Sequence, residues 1–240
     1  MPKHVTSIES DDVSNMEQNQ KGRLIHSLGR AILTGDYKPG DTLPGEILYS
    51  ATLGVSRGGY REAVQCLIAK GLVESRRKVG TRVLPRHRWS ILDRDVLSWA
   101  FAGDVDNELL QSLFELQAAN EPFAASLAAH RRDKTDLQIL KAAIAEMGNY
   151  NLSVGAEQSA VLKFHESMLN ASRSEAFISL GPAISNIIEW RFKNNRCNFA
   201  FNNGQLARYK RAYEAVCNSD ANHAKYAMSQ ILNYSHYYTI

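Results

Sequence analysis

The sequence predicts a mainly α-helical protein, with an N-terminal winged helix-turn-helix followed by a C-terminal all-helical antiparallel bundle. Three observations support this fold class. Apolar residues recur at helical spacing after Gly54, two short strand-like segments flank a basic hairpin at 76–80, and beyond Asp93 helical spacing continues with no β-rich stretch. The length of 240 residues exceeds that of one typical domain, which agrees with two parts.

The second helix of the helix-turn-helix is predicted to begin after Ser56. Gly54 permits the positive φ that a sharp turn between helices often needs, and Ser56 can cap the next helix by accepting a backbone N–H. Arg57 and Arg61 then form a separate stripe along the helix, and Gly71 is a plausible residue to end the helix. The stripe expected to be buried consists of Tyr60, Ala63, Val64, Leu67 and Ile68. This layout is typical of a recognition helix in a DNA major groove.

The flanking segments complete the winged arrangement. A helical pattern over 24–32 stops at Gly35, and Pro44 suits the first turn of a further helix. Short strands are predicted at 72–75 and 81–84. Between them, the hairpin tip carries three positive charges, on Arg76, Arg77 and Lys78.

The charge is distributed unevenly along the chain. The net charge of +3 combines +8 over residues 21–88 with −3 before that segment and −2 after it. Basic charge therefore coincides with the helix-turn-helix, as neutralisation of DNA phosphates requires. A solvated basic surface without a partner is the alternative interpretation.

Beyond the wing, the pattern predicts a bundle of six or seven helices whose core can host a small molecule. The expected helices are 91–102, 106–131, 134–150, 156–172, 175–196, 203–218 and 221–238. The expected caps are Asp106, Asp133, Ser153, Ser174, Asn203 and Asp220. Pro122 and Pro182 suggest kinks or first-turn positions.

Other functional classes are disfavoured by the residues. The chain has no G-x-S-x-G, G-x-G-x-x-G or P-loop motif, and the H-E-x-x-H pattern begun at His165 fails at Leu169, so we do not expect an enzyme. Three widely spaced cysteines indicate reduced thiols. No signal-peptide h-region or membrane-length apolar run is present, so we expect a cytoplasmic, nucleoid-associated bacterial protein without a membrane partner.

The chain resembles the GntR family of bacterial transcription regulators. The resemblance is carried by 38–46, 53–57, 61–64, 71–73 and 80–83. Residues 89–99 are similar to the linker of sugar-acid (galactonate-type) regulators in the fatty-acid-regulator branch, whose effector domain, called FCD, is all helical. The resemblance implies a homodimeric, ligand-responsive regulator, a repressor by family precedent, of a catabolic operon. It implies a palindromic double-stranded DNA operator and a sugar acid or related carboxylate as effector.

The resemblance also implies a metal site of one Asp and three His, of which this chain keeps only His165. The other three positions are occupied by Val161, Tyr209 and Ile231, so we expect neither a metal nor another cofactor. We expect Gln117, Glu121, His165, Arg191 and Tyr209 to line the effector pocket. Gln117 stands where relatives commonly place an arginine, which leaves a non-carboxylate ligand as an alternative.

These inferences define the expected organisation. We expect a tail at 1–18, a DNA-binding domain at 19–86, a linker helix at 87–102 and an effector-binding and dimerisation domain at 103–240. The residues expected to contact DNA are Ser56, Arg57, Gly58, Arg61, Arg77, Lys78, Gly80 and Thr81. The family also usually places an arginine where Ile47 stands, which suggests a shifted operator preference. The alternative function is non-specific nucleic-acid binding.

Overall fold

The computed structural model of the chain describes residues 22–45, 56–149, 154–194 and 203–236. The chain divides into two compact units, Met1–Asp106 and Asn107–Ile240. The predicted fold class is confirmed, since the first unit contains helices and a two-stranded wing, and the described elements of the second unit are all helices. The predicted inter-helix turn at Gly54, the position of Ile47 and the tail at 1–18 lie outside the described residues.

The first unit forms short elements around a small apolar core. They are α1 (22–33), α2 (Arg57–Ala69), β1 (Val73–Arg76), β2 (Gly80–Val83), a 3-10 helix (Arg86–Arg88) and α3 (Arg94–Ala100). The antiparallel register pairs Val73 with Val83 and Arg76 with Gly80, one residue away from the predicted strand bounds. The helix predicted over 91–102 is shorter than expected, because Asp93 caps it from a later start.

Both ends of α2 follow from the residues that flank it. The Ser56 hydroxyl accepts the Gly59 N–H at 3.1 Å, which confirms the predicted N-cap. At the other end Gly71 has φ of 71°, and its N–H donates to the Ile68 carbonyl while that of Leu72 donates to Leu67. These two bonds form a Schellman motif, which needs the left-handed conformation that glycine adopts without strain.

The segment after the wing packs against the rest of the first unit through specific contacts. The Trp89 indole donates to the Leu84 carbonyl at 2.8 Å, and Lys70 Nζ lies 2.7 Å from Asp93. A β-carbon at Gly29 would overlap the Trp99 ring, so this glycine allows α1 and α3 to pack closely. The linker-like sequence is therefore an ordered part of the unit.

The second unit is a bundle in which the longest helix contacts most of the others. Its elements are α4 (Asn107–Arg131), α5 (Lys134–Met147), α6 (Val154–Ala171), α7 (Glu175–Ile178), α8 (Gly181–Lys193), α9 (Asn203–Cys217) and α10 (Ala221–His236). Fully buried alanines at 124, 125, 128 and 129 let the neighbours of α4 approach closely. Burial of this apolar surface stabilises the bundle.

Two expectations about these helices need correction. The single helix predicted over 175–196 is divided into α7 and α8, because Pro182 occupies the first turn of α8 and cannot donate a backbone hydrogen bond. Ser174 precedes α7 but its side chain makes no capping bond. By contrast, Asp133 forms a reciprocal capping box with Asp136. Asp220 accepts the His223 N–H at 3.0 Å.

No helix within the described residues is long and apolar enough to span a membrane.

Candidate nucleic-acid interface and effector site

The arginines of α2 lie on an exposed stripe that adjoins its buried stripe. Tyr60, Ala63, Val64 and Leu67 are buried, whereas Ile68 is only half-buried. Ser56, Arg57, Gly58 and Arg61 are all exposed at or near the helix N-terminus. The absence of a side chain at Gly58, between the two arginines, leaves room for a partner to approach the backbone.

The wing presents positive charge beside the same unit's α2. Arg77, Lys78 and Val79 form an exposed turn in which Lys78 has φ of 68° and the following Gly80 has φ of 97°. The Val79 N–H donates to the Arg76 carbonyl at 3.1 Å and closes the turn. Arg76 itself pairs with Glu74 at 2.9 Å. The tip therefore offers Arg77 and Lys78, rather than three equivalent cations.

Thr81 has a structural position that differs from that of the other proposed contacts. Its side chain is only 8% exposed, and its carbonyl accepts the Leu43 N–H at 2.8 Å. An isolated bridge between Thr42 and Arg82 joins the segment before Leu43 to the wing. Thr81 thus supports the wing from within, and its side chain is not presented to a partner.

The exposed arginines of α2 and the wing tip are suited to binding in a groove of DNA. Guanidinium groups one helical turn apart on a narrow helix can reach base edges, and a flexible cationic hairpin tip can reach phosphates. The assignment of each residue to a DNA contact stays a prediction.

The five residues predicted to line the effector pocket are all buried, and four of them form one hydrogen-bonded chain. His165 Nδ1, on α6, lies 2.9 Å from both carboxylate oxygens of Glu121, on α4. His165 Nε2 lies 3.3 Å from the Tyr209 hydroxyl, on α9. Gln117 Nε2 donates to Glu121 at 3.4 Å. Three helices therefore contribute to one polar chain inside the apolar bundle.

The hydrogen bonds indicate how this chain is oriented. Because carboxylate oxygens accept, the Nδ1 atom of His165 donates to Glu121. When the ring is neutral with the proton on Nδ1, Nε2 accepts the hydrogen bond of the Tyr209 hydroxyl. Phe164 and Tyr209 pack edge to face at 4.9 Å between ring centroids, which holds the phenol in place.

Arg191 lies in the same unit but makes a different contact. It is 4% exposed, and its guanidinium carbon lies 4.6 Å from the centroid of the Phe114 ring. Phe114 precedes Gln117 by three residues and Glu121 by seven, so all three share one face of α4. Phe114 was not among the predicted site residues, although its helical spacing to Gln117 and Glu121 was visible in the sequence.

The residues present do not fit the metal site that the resemblance implies. Val161 lies one turn before His165 on α6, and both Val161 and Ile231 are buried with no donor atoms. The one remaining imidazole is held between Glu121 and Tyr209. Across the described ranges, no group of three or more His, Cys, Asp or Glu side chains is placed to hold an ion.

Comparison with known families matches both units of the chain. Residues 20–83 match the family described as bacterial regulatory proteins, gntR family. Residues 112–234 match the FCD domain. Together the two matches include every predicted site residue described above.

Individual proteins show the same similarity along most of the chain. The chain is 32% identical to the galactonate operon transcriptional repressor of Escherichia coli over 88% of its own length and 93% of that protein. It is 30% identical to the Uxu operon transcriptional regulator of E. coli, over 88% and 82% of the two chains. A solved structure described as Lar, which controls expression of the Listeria monocytogenes agr system, is 16% identical with a TM-score of 0.58 and covers 98% of both chains. This last likeness concerns the fold alone.

Proposed function

This chain belongs to the GntR family of bacterial regulatory proteins and carries an FCD domain, and from that premise we propose that it is a homodimeric repressor of a catabolic operon. It is a ligand-responsive, DNA-binding transcription regulator. The proposal that it represses, and that a sugar acid or related carboxylate relieves repression, is supported by its similarity to the galactonate repressor and the Uxu regulator.

The observation that carries the DNA-binding proposal is the position of positive charge on two neighbouring elements of one unit. Arg57 and Arg61 occupy the exposed face of a capped short helix, and Arg77 and Lys78 occupy the tip of the wing. We propose that α2 enters a major groove while the wing contacts backbone or minor groove. Two protomers related by a two-fold axis would then recognise an inverted repeat.

The effector proposal places the ligand among Gln117, Glu121, His165, Arg191 and Tyr209. A ligand can change operator affinity only through a difference in its affinity for two arrangements of the dimer. The proposed organisation is a DNA-binding domain at 19–86, a linker helix at 87–102 and an effector and dimerisation domain at 103–240, in a cytoplasmic protein.

The DNA-binding proposal is tested by selecting bound fragments from random DNA and footprinting the enriched sequence. We expect protection of one short palindrome, with two half-sites about one helical turn apart or a multiple of that distance. A matched fragment with one half-site scrambled is the control and should bind far more weakly. Uniform coating of both fragments would show the alternative, a non-specific nucleic-acid-binding protein.

A further inference from the structure

The helical unit has an open groove on its surface, between α9 and α10. This outer groove has a volume of about 310 Å³, at the lower end of the range for small-molecule sites. Its lining includes Arg208, Arg211, Glu214 and Ala215 of α9, and Tyr226 and Ala227 of α10. Tyr209 is buried on another face of α9, where it bonds to His165. The outer groove is therefore separate from the polar chain in the bundle core.

The floor of the outer groove is apolar and consists of small side chains. Ala215 and Ala227 both line the groove and are only 8% and 9% exposed. Because each contributes no more than a methyl group, space remains above them for an aliphatic chain. Contact with these methyl groups removes apolar surface from water on both sides, which favours binding.

The rim of the outer groove carries one cation and one anion without an ionic partner among the described residues. Arg211 Nε donates to the Ala207 carbonyl at 3.2 Å, but its terminal nitrogens form no ion pair. Glu214, one turn further along α9, is exposed and also forms no ion pair. A second acid, Asp220, already accepts the N–H of His223 and pairs with its ring. Arg211 and Glu214 are thus the charged groups that a ligand can pair with.

An exposed aromatic ring forms part of the wall on α10. Tyr226 is 62% exposed, more than any other large apolar or aromatic side chain in the described ranges. A ring in this position can cover an aliphatic chain, and its face attracts an ammonium group. The wall therefore suits a ligand that is apolar along its length and positively charged at one end.

We infer that the outer groove binds a small zwitterion, in which a short aliphatic chain separates an ammonium from a carboxylate. Arg211 pairs with the carboxylate, while Glu214 and the face of Tyr226 bind the ammonium. A purely anionic ligand would be repelled by Glu214 and a purely cationic one by Arg211. The site goes beyond the proposed function, since neither the proposed DNA contacts nor the proposed effector pocket include its residues.

Titration of the full chain, followed by ligand-observed NMR, tests the inference. The main probe is 6-aminohexanoate. The comparison probes are hexanoate without the ammonium, hexylamine without the carboxylate, and the isomer norleucine, whose ammonium is next to its carboxylate. We expect 6-aminohexanoate to bind, and each comparison probe to bind about 10-fold more weakly because it can make only one of the two charged contacts.

Variants assign the two ends of the ligand. Arg211→Gln should weaken binding of 6-aminohexanoate about 10-fold and should abolish its advantage over hexylamine. Glu214→Gln should likewise abolish its advantage over hexanoate. Tyr226→Ala should weaken binding by about two- to fivefold, as expected for a cation–π contact at an exposed site. The matched controls, Lys210→Gln and Glu189→Gln, remove exposed charges outside the groove and should leave the affinity unchanged.

Three binding results would overturn the inference: no binding of 6-aminohexanoate, equal affinity for norleucine, or unchanged affinity in both Arg211→Gln and Glu214→Gln. Sedimentation velocity of the same two variants tests whether a second copy of the chain covers the groove. If either substitution lowers the association state, the groove is an interface between protomers, and the inference is rejected as well.

Discussion

Single side chains in this protein acquire their roles from their positions on a helix. Arg57 and Arg61 are one turn apart and exposed. Tyr60, which lies between them in sequence, and Val64, which follows them, are buried. The Tyr60 hydroxyl donates to the Pro44 carbonyl at 2.8 Å, which helps to fix the rotation of α2 about its axis. The direction of the arginines is therefore set by the packing of the buried stripe.

Replacing Arg61 with alanine should weaken specific operator binding by about 1–3 kcal/mol, because a guanidinium that reaches a base edge is lost. Arg57→Ala should have a comparable effect. The measurement is operator affinity at matched salt, with Lys141→Ala as a control that removes one exposed charge from α5. If both arginine variants bind the operator as tightly as the unmodified chain, α2 is not the recognition helix.

His165 gives a second residue-scale prediction, which concerns metal content. Its ring is held by Glu121 and Tyr209, and the side chains of Val161 and Ile231 cannot bind an ion. Elemental analysis of protein purified without chelator should therefore find clearly substoichiometric zinc, nickel and manganese. A stoichiometric ion that disappears in His165→Ala would contradict this, and would mean that other side chains complete a site.

At the scale of elements, the wing and α3 depend on contacts that are distant in sequence. The wing is extended by the bridge from Thr42 to Arg82, and Arg82 Nε donates to the Gly40 carbonyl at 2.7 Å. The segment before α3 is held by Lys70, which pairs with Asp93 at 2.7 Å and with Asp95 at 2.8 Å. Short elements of this kind are stable because their neighbours hold them.

The wing should contribute affinity more than specificity. Neutralising Arg77 and Lys78 together should weaken binding to all sequences similarly, since phosphates and the narrow minor groove carry little sequence information. The slope of log affinity against log salt should flatten by roughly one to two units per protomer. Operator and scrambled DNA are compared. An unchanged slope, or a loss confined to the operator, would show that the tip reads bases or does not contact DNA.

The lowered pKa of Asp93 leads us to expect that the stability of the protein depends on pH. Burial by itself raises the pKa of its carboxyl, but hydrogen bonds from Lys70 and from the backbone N–H groups of Val96 and Asp95 outweigh this effect and lower the pKa below its ordinary value. The stabilisation is therefore fully present above the unfolded-state pKa of about 3.9 and is lost as pH falls through the folded-state pKa.

Asp93→Asn isolates the charge, because asparagine also caps helices well. We expect a lower thermal midpoint than that of the unmodified chain at neutral pH, and a difference that shrinks as the pH falls below about 3.9. Ser98→Asn on the exposed side of α3 is the control. A difference that is constant from neutral to acidic pH would assign the effect to packing.

At the scale of the whole molecule, the two units have separate tasks. The large excess of positive charge, +8, lies in residues 21–88, which carry α2 and the wing, whereas the helical unit buries a polar chain among apolar side chains. A regulator of this kind works through the free energy that couples its two ligands, and that coupling is reciprocal.

Reciprocity gives a prediction for the complete protein. The factor by which the effector changes operator affinity should equal the factor by which saturating operator changes effector affinity, and both factors are typically about 5–150. Fluorescence anisotropy of labelled operator gives the first factor and calorimetry gives the second. Sodium chloride at the same ionic strength controls for the effect of salt on DNA binding. Unequal factors would show that the ligand displaces DNA by competition or screening.

Much of this structure could be predicted from the order of residues, because the relevant forces are local. The Ser56 cap, the Gly71 stop, the buried stripe of α2 and the Asp133 cap all depend on neighbours within a few positions. Helical periodicity likewise predicted the helices of the second unit. Apart from the division at Pro182, their ends in the structure lie within three residues of the predicted ends.

Tertiary packing decided what local sequence could not. The pairing of His165 with Glu121 and Tyr209 joins residues 44 positions apart in each direction, and Arg191 stacks on Phe114 from another helix. Thr81 is buried within the wing, and its carbonyl accepts the N–H of Leu43, which is far away in sequence. The sequence by itself determined the family, the two units and the candidate residues, since these follow from periodicity and motif. The donors and acceptors that face one another were decided by the tertiary structure, because hydrogen bonds depend on distance and direction in space.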